Sequence, residues 1–151
     1  MKFDDKINEY LAEGIEHIDG LYVVSDDNGV SYFKDKGLTI LHRNNGPAIT
    51  TNKGSEHWYK DGKRHRVGGP AVWYWNGTQI WTQTDECHRE DGPAYISCRN
   101  ADGYQEKRWY IRGEEMTEEE FNNYITKQAV SKEIQSHKNN RIDPGMLEDY
   151  L

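Results

Sequence analysis

The chain has 151 residues, 34% hydrophobic and 30% charged, with a formal net charge of -7 and a mean hydropathy of -1.04. That length suits one domain. The composition excludes a large aliphatic core and leaves five Trp and ten Tyr to supply a thin, aromatic-rich one.

The opening stretch, MKFDDKINEY, is acidic and lacks the apolar run of a signal peptide. Phe3, Ile7, Tyr10, Leu11, Ile15 and Ile18 fall at helical spacing. This predicts an amphipathic helix from about Asp4 to Glu13, within an N-terminal segment 1–16.

The next segment, 17–113, repeats itself. HRNNGPA starts at His42, HRVGGPA at His65 and HREDGPA at His88, each 23 residues after the last. Gly54 and Gly77 keep the same interval, as do Trp58 and Trp81. The third unit carries Gly103 and Trp109 after a short insertion. A degenerate first unit starts near His17, with Val23 at the Ala48 position, Gly29 at that of Gly54 and Phe33 at that of Trp58. Each unit reads as a β-hairpin. Ala71–Trp75 is β-branched and aromatic, Asn76-Gly77 signals a type I′ turn, and Thr78–Thr82 returns. Asp61-Gly62 marks a second turn, and Pro47, Pro70 and Pro93 suit strand starts.

After the repeats, Thr117 and Glu120 form a capping box, T-x-x-E. A capping helix is expected in 114–138, running from Glu118 to about His137, with Phe121, Tyr124, Ile125 and Ala129 facing the sheet. Glu118 and Glu119 suit the positive end of its dipole. NNRIDPG ends the helix and leaves a tail, 139–151.

WYKDGKRHRVGGPA resembles a MORN repeat, and more closely the MORN-variant repeats of bacterial antitoxin-type immunity proteins and uncharacterised phage proteins. The likeness covers about Leu41 to Gly113 and departs from the standard pattern at Arg43, Arg66 and Arg89, where glycine is usual. The fold expected is therefore α+β, mainly β: an antiparallel β-meander of 23-residue hairpin repeats with flanking helices. The resemblance implies a scaffold, and repeats of this kind carry different partners.

Several residues are candidates for binding. Arg43, Arg66 and Arg89 recur with His42, His65 and His88, and stacked hairpins would place them in a row along one rim. Such a row suits phosphates or a partner's carboxylates. Internal repetition favours a structural role, since a structural residue must recur in every unit. Equivalent histidines a hairpin apart would not converge on a metal, so no metal site is expected. No P-loop, G-x-S-x-G or H-E-x-x-H occurs, and no catalytic residue or cofactor is expected. Trp58, Trp81 and Trp109 are expected between sheet and helix. Trp73, Tyr74 and Trp75 cannot all be covered if strand residues alternate faces, so one becomes an exposed hot spot. Glu118 and Glu119 begin an acidic patch suited to a basic partner.

These readings lead to a non-catalytic protein-binding module. The version the resemblance implies is a small inhibitor of a toxin or a host defence protein, phage-encoded in one form. The alternative is a binder of a nucleotide-like ligand through the arginine row and aromatics. Bulk nucleic-acid binding is disfavoured by the acid excess, and no run reaches membrane-spanning length. Cys87 and Cys98 make no disulfide framework, which points to a cytoplasmic location. Edge strands can pair between copies, so a homodimer is an open option.

Overall fold

A computed structural model of the chain describes residues 14–139. The expected helix from Asp4 to Glu13 and most of the expected tail lie outside the described residues. The chain divides into two compact units, one through Glu115 and one from Met116.

The first unit is built from antiparallel strands in an open sheet. Three strands form its beginning: β1 (Ile15–Ile18), β2 (Leu21–Asp26) and β3 (Gly29–Phe33). Then come β4 (Ile49–Thr51), β5 (Glu56–His57), β6 (Tyr59–Lys60) and β7 (Lys63–Arg64). The next repeat supplies β8 (Val72–Trp73), β9 (Gln79–Ile80), β10 (Thr82–Gln83) and β11 (Glu86–Cys87). Last are β12 (Tyr95–Ile96), β13 (Lys107–Ile111) and β14 (Glu114–Met116). The main sheet runs β1-β2-β3-β4-β5-β8-β9-β12-β13-β14, while β6–β7 and β10–β11 form separate two-stranded ribbons.

In the two central repeats the returning strand is cut short of the expected five residues because it changes partner at a tryptophan. The Trp58 N–H donates to the Ala71 carbonyl at 2.7 Å, and the Trp58 carbonyl accepts from His65 N–H at 3.0 Å. Trp81 repeats this with Ala94 and His88, at 2.7 and 3.1 Å. One extended segment thus serves the main sheet before the tryptophan and a small ribbon after it. Two buried polar atoms at these crossings, Trp58 Nε1 and Thr82 Oγ1, have no hydrogen-bond partner.

The same bonding identifies the aromatic of the first unit as Tyr32, not Phe33. The Tyr32 N–H donates to the Ala48 carbonyl at 2.8 Å, and the Tyr32 carbonyl accepts from His42 N–H at 3.0 Å. Here the ribbon loop is longer. Asp35 closes it by accepting from the Thr39 and Ile40 N–H groups, at 3.0 and 2.7 Å.

The two kinds of turn differ. Asp61 and Gly62 have φ of 50° and 79°, as a type I′ turn requires, and Thr84-Asp85 does the same at 55° and 68°. The Asn76-Gly77 turn is not type I′. Gly77 N–H donates to the Tyr74 carbonyl at 2.8 Å and Tyr74 N–H to the Thr78 carbonyl at 2.9 Å. In the turn only Gly77 is left-handed, at 91°. This is the longer hairpin loop in which a left-handed glycine follows the turn. The chain therefore leaves the strand at Trp73, and Tyr74 and Trp75 belong to the turn.

The core is a row of small side chains. Ala48, Ala71 and Ala94 are fully buried at the same place in three repeats, with Val23 in that place in the first. Val72 and Ile111 complete it. An alanine row leaves little apolar area to bury, so polar framing carries more of the architecture.

In the second unit, helix α1 (Glu118–Asn139) begins on the capping box. Thr117 N–H donates to Glu120 Oε2 at 2.8 Å, and Glu120 N–H to Thr117 Oγ1 at 3.2 Å. Phe121 is buried, Tyr124 and Ile125 are half-buried, and Ala129 is exposed. No helix of the described residues is long and apolar enough to cross a membrane.

Candidate functional site

The three His-Arg-x-x-Gly-Pro-Ala segments adopt one local geometry. Each arginine folds back over its own loop. Arg43, Arg66 and Arg89 donate from Nη1 to the carbonyls of Pro47, Pro70 and Pro93, at 3.3, 3.1 and 3.2 Å. Each guanidinium also lies over an aromatic ring: Arg43 over Tyr32 at 3.9 Å, Arg66 over Trp58 at 3.8 Å and Arg89 over Trp81 at 4.0 Å. A guanidinium held there gains cation–π attraction and shields the ring from water. The glycine of the motif makes room for it. A Cβ at Gly46 or Gly69 would lie 2.9 or 3.0 Å from the guanidinium carbon.

Two of the histidines, His42 and His88, fasten successive ribbons. His42 Nδ1 accepts from Asp61 N–H at 3.0 Å, and His88 Nδ1 accepts from Arg112 N–H at 3.1 Å. Those donors are the first residues of left-handed turns one ribbon further on. The residue before each histidine helps: the Leu41, Arg64 and Cys87 carbonyls accept from Gly62, Asp85 and Gly113 N–H groups, at 2.9, 3.0 and 2.9 Å. An Nδ1 acceptor requires the proton on Nε2, so these imidazoles serve as backbone caps. Among the described residues, no group of three His, Cys, Asp or Glu side chains could hold a metal.

The arginines therefore do not form an open row. One face of each is taken by an aromatic ring and one edge by a proline carbonyl, leaving the Nε edge to meet anything else. Trp58 and Trp81 are half-buried beneath these guanidiniums. Trp109 is also half-buried.

Trp73, Tyr74 and Trp75 are exposed together, at 47%, 38% and 64%. The expected split between two sheet faces does not occur, because Trp75 sits in the turn. The turn is nonetheless fixed. Trp75 N–H donates to Ser55 Oγ, a buried hydroxyl of the neighbouring hairpin, at 3.0 Å. Thr78 Oγ1, 23 residues on, accepts from Cys98 N–H at 3.0 Å in the same way. Tyr74 meets the edge of His57 at 5.5 Å and 87°. Burial holds His57 below the ordinary histidine value, and Arg64 adds to this. Tyr74 and Trp75 border a cleft of about 390 Å³ with Lys53, His57 and Asn52.

Sequence reasoning passed over Ser55 and Thr78. Their signal was present as two small hydroxyl residues at the repeat interval, each just after the turn glycine Gly54 or Gly77. Glu118 and Glu119 stand exposed on the first turn of α1, in the second unit. Cys87 and Cys98 are free thiols, and burial pushes that of Cys87 up.

No protein-family model, curated protein or solved structure matches the chain.

Proposed function

We propose that the chain is a non-catalytic protein-binding module built on MORN-like hairpin repeats. The observation that carries this reading is the fixed, exposed trio Trp73-Tyr74-Trp75. Tryptophan and tyrosine contribute large contact areas with few rotatable bonds, and they dominate binding hot spots. Ser55 holds the Trp75 backbone, so part of the ordering cost of binding is met before a partner arrives. The arginines and histidines of the repeat support the reading indirectly, because the stacking of the arginines and the Nδ1 atoms of His42 and His88 serve the frame.

The partner class comes from the likeness of the HRxxGPA units to MORN-variant immunity proteins. On that basis the module is an intracellular inhibitor that covers a toxin or a host defence protein, with the aromatic hairpin as its anchor. The test is affinity capture of the tagged chain from bacterial lysate beside W73A/W75A. One stoichiometric protein held by the parent and lost by the variant is expected. Equal retention by both would reject the hairpin as the anchor. Capture of no protein, with a nucleotide co-purifying in native mass spectrometry, would replace this reading with ligand binding.

A further inference from the structure

Two clefts occupy the same place in successive repeats. The first, about 410 Å³, is bordered by Arg43, Trp58, Lys60, His65, Arg66 and Val67. The second, about 460 Å³, has Trp81, His88, Arg89, Glu90 and Asp91 in the corresponding places. In the second cleft the chain supplies its own anions. Arg89 Nε donates to Asp91 Oδ1 at 2.6 Å, and His88 Nε2 lies 3.7 Å from Glu90 Oε1. The counterparts of Glu90 and Asp91 in the first cleft are Val67 and Gly68, which carry no charge.

The cationic half of the arrangement is nevertheless kept. Arg66 stacks on Trp58 at 3.8 Å and bonds to Pro70 at 3.1 Å, as Arg89 does on Trp81 and Pro93 at 4.0 and 3.2 Å. Its Nε edge is thus left open, where that of Arg89 is filled by Asp91. Lys60 stands where the second cleft has Gln83, which adds a positive charge. Among the described residues, no carboxylate forms an ion pair within 4.0 Å of Arg43, Lys60, His65 or Arg66. The space is open: a Cβ at Gly68 would meet nothing within 4 Å, and Val67 is 75% exposed.

We infer that the first cleft is a receptor for two adjacent carboxylates, an Asp/Glu pair on an acidic segment of a protein partner. The pair takes the place that Glu90 and Asp91 fill one repeat later. One carboxylate accepts from Arg66 Nε, a charge-assisted bond, and the other lies against His65, with Lys60 and Arg43 supplying attraction. A pair fits better than a single compact anion because the guanidinium edge and the imidazole are separate groups, each served by its own carboxylate in the second cleft. The inference rests on the protein-binding reading and names the chemistry of one contact, at a place apart from the aromatic hairpin.

The probe is the blocked peptide Gly-Glu-Asp-Gly, with Gly-Gln-Asn-Gly and inorganic phosphate as controls. The measurement is NMR titration of the full chain, following the Arg66 Nε–H and Trp58 indole signals. Saturable shifts are expected with the diacid peptide, at least about tenfold weaker with the amide peptide. They should weaken in Val67→Glu, which returns the carboxylate beside His65 at an exposed position, and persist in Trp75→Ala. No shift with the diacid, an equal affinity for phosphate, or shifts unchanged in Val67→Glu would each overturn the assignment. Loss of peptide binding with protein capture intact would defeat this inference alone, and the reverse result would defeat the aromatic anchor alone.

Discussion

Arg66 shows why the repeated motif has the residues it has. Its guanidinium needs a flat ring beneath it, a carbonyl at its edge and a neighbour with no side chain, and Trp58, Pro70 and Gly69 provide these. Arg66→Ala removes the stacking and leaves the Pro70 carbonyl without this donor. The expected loss is about 2 kcal/mol of stability, from cation–π and hydrogen-bond terms together. Gly69→Ala should move in the same direction, since its Cβ would sit 3.0 Å from the guanidinium carbon. Thr84 presents the opposite case. It is β-branched yet held at φ 55°, a conformation that Asn adopts with less strain. Thr84→Asn should stabilise the protein by roughly 0.5–1 kcal/mol in urea unfolding, and a loss of stability would show that Thr84 makes a contact outweighing its strain. The recurrence of His, Arg, Gly and Pro was readable in the sequence. Their mutual contacts were not, because spacing along the chain does not reveal that an arginine turns back onto its own loop.

At the level of the hairpin, sequence pattern located the turns but misjudged one of them. Asn-Gly is a strong turn signal, yet the loop is set by hydrogen bonds at Tyr74 and Thr78, and the clamp from Ser55 ends the strand at Trp73. Alternation of faces then no longer applies, and three aromatics emerge together. The Phe33 assignment failed for a related reason. The hairpin loop between Asp26 and Gly29 is one residue shorter than that between Thr51 and Ser55, and hydrogen bonding to Ala48 selects Tyr32. The hairpin also carries a pH response through His57. Its folded value lies below the ordinary one, so the folded state binds fewer protons than the unfolded state. The His57 contribution is fully present above about pH 6.5 and is lost as the pH falls below it. His57→Gln should therefore flatten the fall of stability between about pH 7.5 and 5.5, measured by urea unfolding at several pH values. An unchanged slope would remove His57 from that response.

The repeat unit as a whole is a sequence of mutual obligations rather than a packed apolar interior. Each ribbon turn is held by a carbonyl from the ribbon before it, two of the turns also by His42 or His88, and Arg43, Arg66 and Arg89 N–H groups reach the carbonyls of Tyr59, Thr82 and Tyr110 in the ribbon beyond. Stability of this kind is a sum of neighbour interfaces. Damage at a central frame residue is felt in the adjoining units, while damage at the exposed hairpin tip is not. The mainly β antiparallel sheet followed by a C-terminal helix was legible at this scale, since hairpin periodicity and a capping box are local signals. The division of labour between frame and tip was not, because it depends on which polar groups meet across repeats.

That division is tested most directly by equilibrium urea unfolding of Arg66→Ala beside Trp75→Ala. Arg66→Ala should lower stability by about 2 kcal/mol, and Trp75→Ala should stay within about 0.5 kcal/mol of the parent, as an exposed residue does. A neutral Arg66→Ala, or a Trp75→Ala as damaging as Arg66→Ala, would contradict the assignment of the arginines to the frame and of the aromatic tip to binding.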